Sequence, residues 1–262
     1  KSRMILNEHS LWDLLTNADW KPLSEEFGFL PFIIGTLAVT ALSILIALPI
    51  SLLSAIYLSE YAHSWTKRVI FPVLDILAGI PSVVFGVWGT LIIVPWIADK
   101  LGPHFVEYTS GYTVLASGIV LGVMILPILV SLFIEIFTIV PQDYRDAAAS
   151  LGATKWQIST KVILRKSMPG IIAAVVLAIS KAFGETIAVL MVCGNYAEIP
   201  HSLFDPCYPL PALIANNYGE MLSLPLYESA LMFAAFILFF IILVFNLASR
   251  MMLQHVEKKF KL

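Results

Sequence analysis

Apolar residues in this chain come in blocks of about 20 to 30, and that grouping narrows the fold more than any motif. A helix needs about 20 such residues to cross a hydrocarbon core ~30 Å thick. Five blocks qualify, over residues 29–58, 69–97, 112–140, 170–193 and 226–251. None alternates with period two, which argues against a membrane β-barrel. Composition agrees: 13% of residues are charged, against about 25% in a soluble domain. The chain reads as an all-α, polytopic helical membrane protein with five spans.

Lysine and arginine orient the spans, because short cytoplasmic loops carry their excess. Lys67 and Arg68, then Arg145, Lys155, Lys161, Arg165 and Lys166, then Arg250, Lys258, Lys259 and Lys261 fall on one side. Lys1, Arg3, Lys21 and Lys100 fall on the other. The C-terminus is therefore expected in the cytoplasm. An odd number of spans then leaves residue 1 outside. Residues 1–28 are too polar to cross, so they are expected to be an extracytoplasmic segment following a first span that this sequence lacks. Six spans are expected in the full protein.

The second block contains LAGIPSVVFGVWG, in which Pro81 lies about 18 Å along the block at 1.5 Å per residue. Proline removes a backbone donor and frees a carbonyl one turn earlier. In lipid such a break is tolerated where protein or a water-lined cavity satisfies the freed groups. A packing kink and a functional break both fit. Ser82 beside it is either a hydroxyl donor on a polar path or a serine bonded back to its own helix.

The fourth block carries AISKAFGETIAVL. Lys181 falls about 16 Å into it, close to the expected midplane. A charge there costs about 2.5–3.5 kcal/mol even on a lenient scale, so it should face an interior or aqueous path. Glu185 follows at helical i,i+4 spacing, where the two charges would partly neutralise each other. One reading is a pair that staples helices together. The other is a cation that attracts an anion crossing the membrane, tempered by Glu185 so that release is not stalled. Asp75 and Glu135 lie nearer the cytoplasmic face, where they are expected to snorkel. The third block holds Gly118 and Gly122, a spacing that admits a close helix neighbour.

The polar stretch VPQDYRDAAASLGATKWQISTKVILRKSMPG reads as two short helices. Asp143 is the expected N-cap of the first, over 144–151, and Gly152 its C-terminal stop. Thr154 and Gln157 have capping-box spacing for the second, whose mixture of Trp156, Ile158, Val162 and Ile163 with basic residues suits an elbow on the membrane face.

Within that stretch Asp146, Ala147, Ala148, Leu151, Gly152 and Ala153, followed by Met168-Pro169-Gly170, resemble the EAA loop of ABC importer permeases. The resemblance implies that loop 141–170 docks on an ATP-binding subunit and carries its motion to the membrane. Asp146 stands where glutamate is usual. IYLSEYA (56–62), LAGIPSVVFGVWG (77–89) and KAFGETIAVLMVCGN (181–195) are similar to the PstC-type subunit of phosphate ABC importers, whose transmembrane domain is MetI-like. The likeness runs from Leu30 to the C-terminus and makes 29–262 the permease domain. It implies a second, PstA-type permease subunit, two ATP-binding subunits and an external phosphate-binding protein, in a bacterial cytoplasmic membrane. It also implies a phosphate pathway through Lys181, Glu185, Ser82 and Pro81, with lysine where the family usually has arginine. Lysine attracts phosphate as a point charge but offers no bidentate fork.

No GxxxxGK[ST] loop occurs, so ATP and Mg are expected in partner subunits and no cofactor or catalysis in this chain. The five histidines show no ligand spacing; Cys193 and Cys207 fit no metal motif and read as small apolar residues, with a single external disulfide as the alternative. The net charge of −2 gives no argument for nucleic acid. Phosphate import is the leading reading; another oxyanion such as molybdate or sulfate, or a membrane sensor of phosphate status, are the alternatives. A passive anion channel would need no docking loop. The outward loop 194–225 is expected to touch the binding protein.

Overall fold

Pro81 divides the second apolar block into two helices. In the computed structural model, which describes residues 3–219 and 225–260, the helix Ser64–Gly79 stops and a new one starts at Ser82. Ile80 is extended (φ −66°, ψ 130°), because the residue before a proline is pushed out of the α region. Pro81 is itself the N-cap. The expected single span over 69–97 is therefore corrected: the helix long and apolar enough to cross is Ser82–His104.

Leu30–Tyr61, Val114–Ile139 and Pro225–Met251 also meet that test. A fifth crossing is made if two helices, Lys155–Lys166 and Met168–Gly184, count as one span bent by 69°. The expected span over 170–193 is corrected too, since its helix ends at Gly184 and only a short turn, Ile187–Leu190, follows. The all-α, multi-pass reading holds, with four or five crossings among the described residues.

The chain forms two compact units. The first comprises residues 1–43, 81–122 and 182–243; the second comprises 44–80, 123–181 and 244–262. In the first unit the polar N-terminal segment is tied down by aromatics. Trp20 meets Phe27, Phe29, Phe32 and Tyr227 edge-on, with ring centroids 5.0–6.0 Å apart, a geometry that the ring quadrupoles favour. Ile5 donates its N–H to Ser229 Oγ at 3.1 Å. Gly118 lets the Val114–Ile139 helix approach Leu42, where a Cβ would come within 2.6 Å of the leucine side chain. Cys193 and Cys207 are free and fully buried, with the Cys207 N–H donating to Cys193 O at 2.8 Å.

In the second unit Leu58, Leu74 and Val130 form a buried cluster flanked by Ala62, Ile70, Leu126 and Ile134. It joins the end of the first span, the helix Ser64–Gly79 and the second half of Val114–Ile139. Lys1, Lys261 and residues 220–224 of the long loop lie outside the described residues.

Candidate functional site

Loop 141–170 is shaped by local chemistry that its sequence spells out. Its first helix runs Gln142–Ser150, with Pro141 as N-cap; the expected cap, Asp143, sits instead in the first turn, where a carboxylate suits the positive helix end. The helix stops as expected at Gly152 (φ +81°). The Gly152 N–H donates to Ala149 O at 2.9 Å and the Ala153 N–H to Ala148 O at 3.1 Å. These two bonds make a Schellman turn, which needs a left-handed residue at this position. The capping box also forms: Gln157 N–H donates to Thr154 Oγ1 at 3.3 Å, and Thr154 N–H to Gln157 Oε1 at 2.9 Å. A π-helical turn over Ile158–Ile163 then places both isoleucines in the interior.

Neighbouring residues on the first helix face opposite ways. No residue of Gln142–Ser150 is fully buried. Asp146 is exposed and accepts from Gln142 Nε2 at 3.1 Å, and Leu151 at the tip is 89% exposed. Arg145 turns inward. Its Nη2 and Nε lie 2.9 and 3.3 Å from the two carboxylate oxygens of Glu60, and both side chains are only about 15% exposed (15% and 14%). The guanidinium also donates to Val140 O at 2.6 Å and Phe137 O at 3.0 Å. Phe137 O lies in the last turn of the Val114–Ile139 helix, where it also accepts from the Val140 N–H at 3.4 Å, and Val140 lies just past the helix end.

The second place is the break after Gly184. Lys181 lies in the last turn of Met168–Gly184, exposed. It has no ion pair or hydrogen bond among the described residues. Glu185 falls beyond the helix end, so the expected i,i+4 relation is not realised. Its N–H donates to Ala182 O at 3.2 Å, and its Oε1 accepts from the Ala188 N–H at 3.4 Å, capping the short turn that follows. Lys181 is the last residue of its segment in the second unit; Pro81, Ser82 and Glu185 belong to the first.

Within the first unit the two post-break segments pack together. Thr90 Oγ1 donates to Met191 O at 3.2 Å, and Gly86 lies so close to Met191 that a Cβ would come within 2.6 Å of its sulfur. Ser82 is the first residue of its helix, half-buried and without a hydrogen-bond partner among the described residues. Of the two readings of Ser82, the back-bond does not form, because Ser82 opens its helix and no turn of that helix precedes it.

A family model described as binding-protein-dependent transport system inner membrane component matches residues 47–262. The chain belongs to that family. Within it the permease is of the PstC type. It is 35% identical to the phosphate transport system permease protein PstC of Pasteurella multocida, over 95% of this chain and 81% of the relative. It is 39% identical to the probable ABC transporter permease protein YqgH of Bacillus subtilis, over 94% and 80%. A PstC of Methanocaldococcus jannaschii, named as probable, is 34% identical over 90% and 79%. Among solved structures, a chain of the MetNI methionine ABC transporter in inward-facing conformations superposes with a TM-score of 0.61, at 17% identity, covering 91% of the permease and 99% of that chain. The fold is MetI-like.

The permease brings Asp146, Ala147, Ala148, Leu151, Gly152 and Ala153 together on one helix and its terminal turn. Sequence reasoning missed three contacts: Arg145 with Glu60, Thr90 with Met191, and Ser180 Oγ with Asn246 Oδ1 at 2.9 Å. Arg145 adjoins a quoted motif and Glu60 lies inside another, but nothing in their spacing of 85 residues pairs them. Among the described residues no cluster of three or more His, Cys, Asp or Glu is placed to hold a metal ion.

Proposed function

We infer that the permease is the transmembrane subunit of an ATP-driven importer that passes inorganic phosphate across the cytoplasmic membrane, with its C-terminus inside. The observation that carries the reading is Lys181. An ammonium in an apolar segment, with no carboxylate on it among the described residues, leaves its potential available to a passing anion. A lysine neutralised by Glu185 would hold helices together instead. Glu185 is spent on the backbone of the next turn, so it tempers the local potential without quenching the cation. Ser82 supports the same reading, since its hydroxyl begins a helix beside Pro81 with no internal acceptor.

Loop 141–170 lies on the cytoplasmic side in this scheme. Asp146, Ala147, Ala148, Leu151, Gly152 and Ala153 form the knob that one of two ATP-binding subunits receives. The exposed Leu151 suits it, because a large apolar side chain at a tip gains by being covered. A second, PstA-type permease subunit and an external phosphate-binding protein complete the assembly, the latter meeting loop 194–225. Phosphate is the cargo named for the PstC relatives, and a lysine can serve it as a point charge.

The test is phosphate uptake into proteoliposomes holding the whole complex with ATP. Lys181→Ala should cut uptake by about a hundredfold, equivalent to about 2.7 kcal/mol of lost stabilisation of the passing anion, with all subunits still co-purifying. Excess sulfate or molybdate should not compete. Normal uptake by the variant removes Lys181 from the pathway, and competition by either anion reassigns the cargo.

A further inference from the structure

We propose that Arg145 is the positioning residue that fastens the docking helix Gln142–Ser150 to two spans at once, so that a displacement of the helix moves both. The proposal rests on the import reading above, but it concerns how force enters the membrane rather than what crosses it.

Apart from Arg145, the helix is held by packing against the turn Ile158–Ile163 of its own loop. None of its residues is fully buried, and clefts of about 470 and 280 Å³ adjoin it, both lined by Glu60, Gln142 and Arg145. Tyr144 lies under the Lys166 ammonium at 5.2 Å, a contact to the helix Lys155–Lys166 and not to Leu30–Tyr61 or Val114–Ile139. Among the described residues, its side-chain hydrogen bonds and ion pairs to the spans all run through Arg145.

Those bonds have the geometry of a clamp. The guanidinium presents a planar fork to the Glu60 carboxylate, which resists rotation as well as separation. Glu60 belongs to the π-helical turn Tyr57–Tyr61 that ends the first span. Lys67 Nζ donates to Ser59 O at 3.0 Å in the same turn. The remaining guanidinium donors hold Phe137 O and Val140 O, where a cation also suits the negative end of the Val114–Ile139 helix. One side chain thus joins the docking helix to the ends of Leu30–Tyr61 and Val114–Ile139. A lysine could keep the charge but not all four contacts.

Glu60→Gln and Arg145→Lys, each in the full reconstituted complex, test this without emptying the site. Both should keep the ATP-binding subunits bound and hold ATPase activity within about twofold. Phosphate uptake should fall roughly tenfold, so that more ATP is hydrolysed per phosphate moved, an effect in the usual range of energetic coupling between sites. A second arm uses Glu60→Cys with Arg145→Cys, bridged by a short bis-methanethiosulfonate and released by dithiothreitol; Cys193 and Cys207 are buried and should not react. Bridging should restore uptake and release should abolish it. Unchanged ATP per phosphate in both mild variants, loss of the ATP-binding subunits, or bridging without rescue overturns the clamp. Absence of phosphate uptake by the unaltered complex would instead refute the import reading.

Discussion

Two basic residues and two glutamates look alike on paper and behave oppositely in the fold. Lys181 and Glu185 are four residues apart, the spacing at which helical charges meet. Yet the helix ends between them, Lys181 has no partner among the described residues, and Glu185 caps the following turn. Arg145 and Glu60 are 85 residues apart and close into a two-pronged ion pair that is largely buried. Sequence separation therefore says little about pairing unless the backbone between the charges is known to be continuous. The functional contrast follows. A cation left unpaired can act on something that passes, whereas a cation fully engaged can only hold the structure.

The contrast can be broken by measuring unfolding of the purified permease in detergent. Arg145→Met should have the largest effect, about 3–5 kcal/mol, because it leaves the Glu60 carboxylate buried and uncompensated. Gly152→Val should come next, at about 1–2 kcal/mol, from forcing a β-branched residue into the left-handed region. Space is open around Gly152, so the strain lies in the backbone and Gly152→Asn should recover most of it. Lys181→Met should be smallest, within about 0.5 kcal/mol, since no partner is lost. If Lys181→Met destabilises as much as Arg145→Met, Lys181 has a partner in the folded protein and the contrast collapses. If Gly152→Asn is as damaging as Gly152→Val, contacts rather than φ govern the turn.

Short-range features were the most legible. The stop at Gly152 and the box between Thr154 and Gln157 form as their residue types and spacing predict. Each involves backbone groups within five residues, so little else can intervene. The close approach at Gly118 was signalled for a related reason: absence of a side chain has one main consequence on a helix surface. Pro81 was recognised as a disturbance but not as a full end to the helix. A proline's missing donor does not say whether the chain bends or restarts; the extended Ile80 decides it. The break after Gly184 is not legible in the sequence, because IAVL resumes the apolar run within three residues.

The sequence alone determined that this is a helical membrane protein, since blocks of about 20 apolar residues have few other stable states in water or lipid. It also determined where loop 141–170 turns, because capping is local. Tertiary structure alone decided which charges meet. Ion pairs depend on the direction of side chains carried by helices far apart in the chain, and one helix end, at Gly184 or at Tyr61, changes that direction entirely. Hydrophobicity and capping are properties of short stretches. The partnership of Arg145 with Glu60 belongs to the packed bundle.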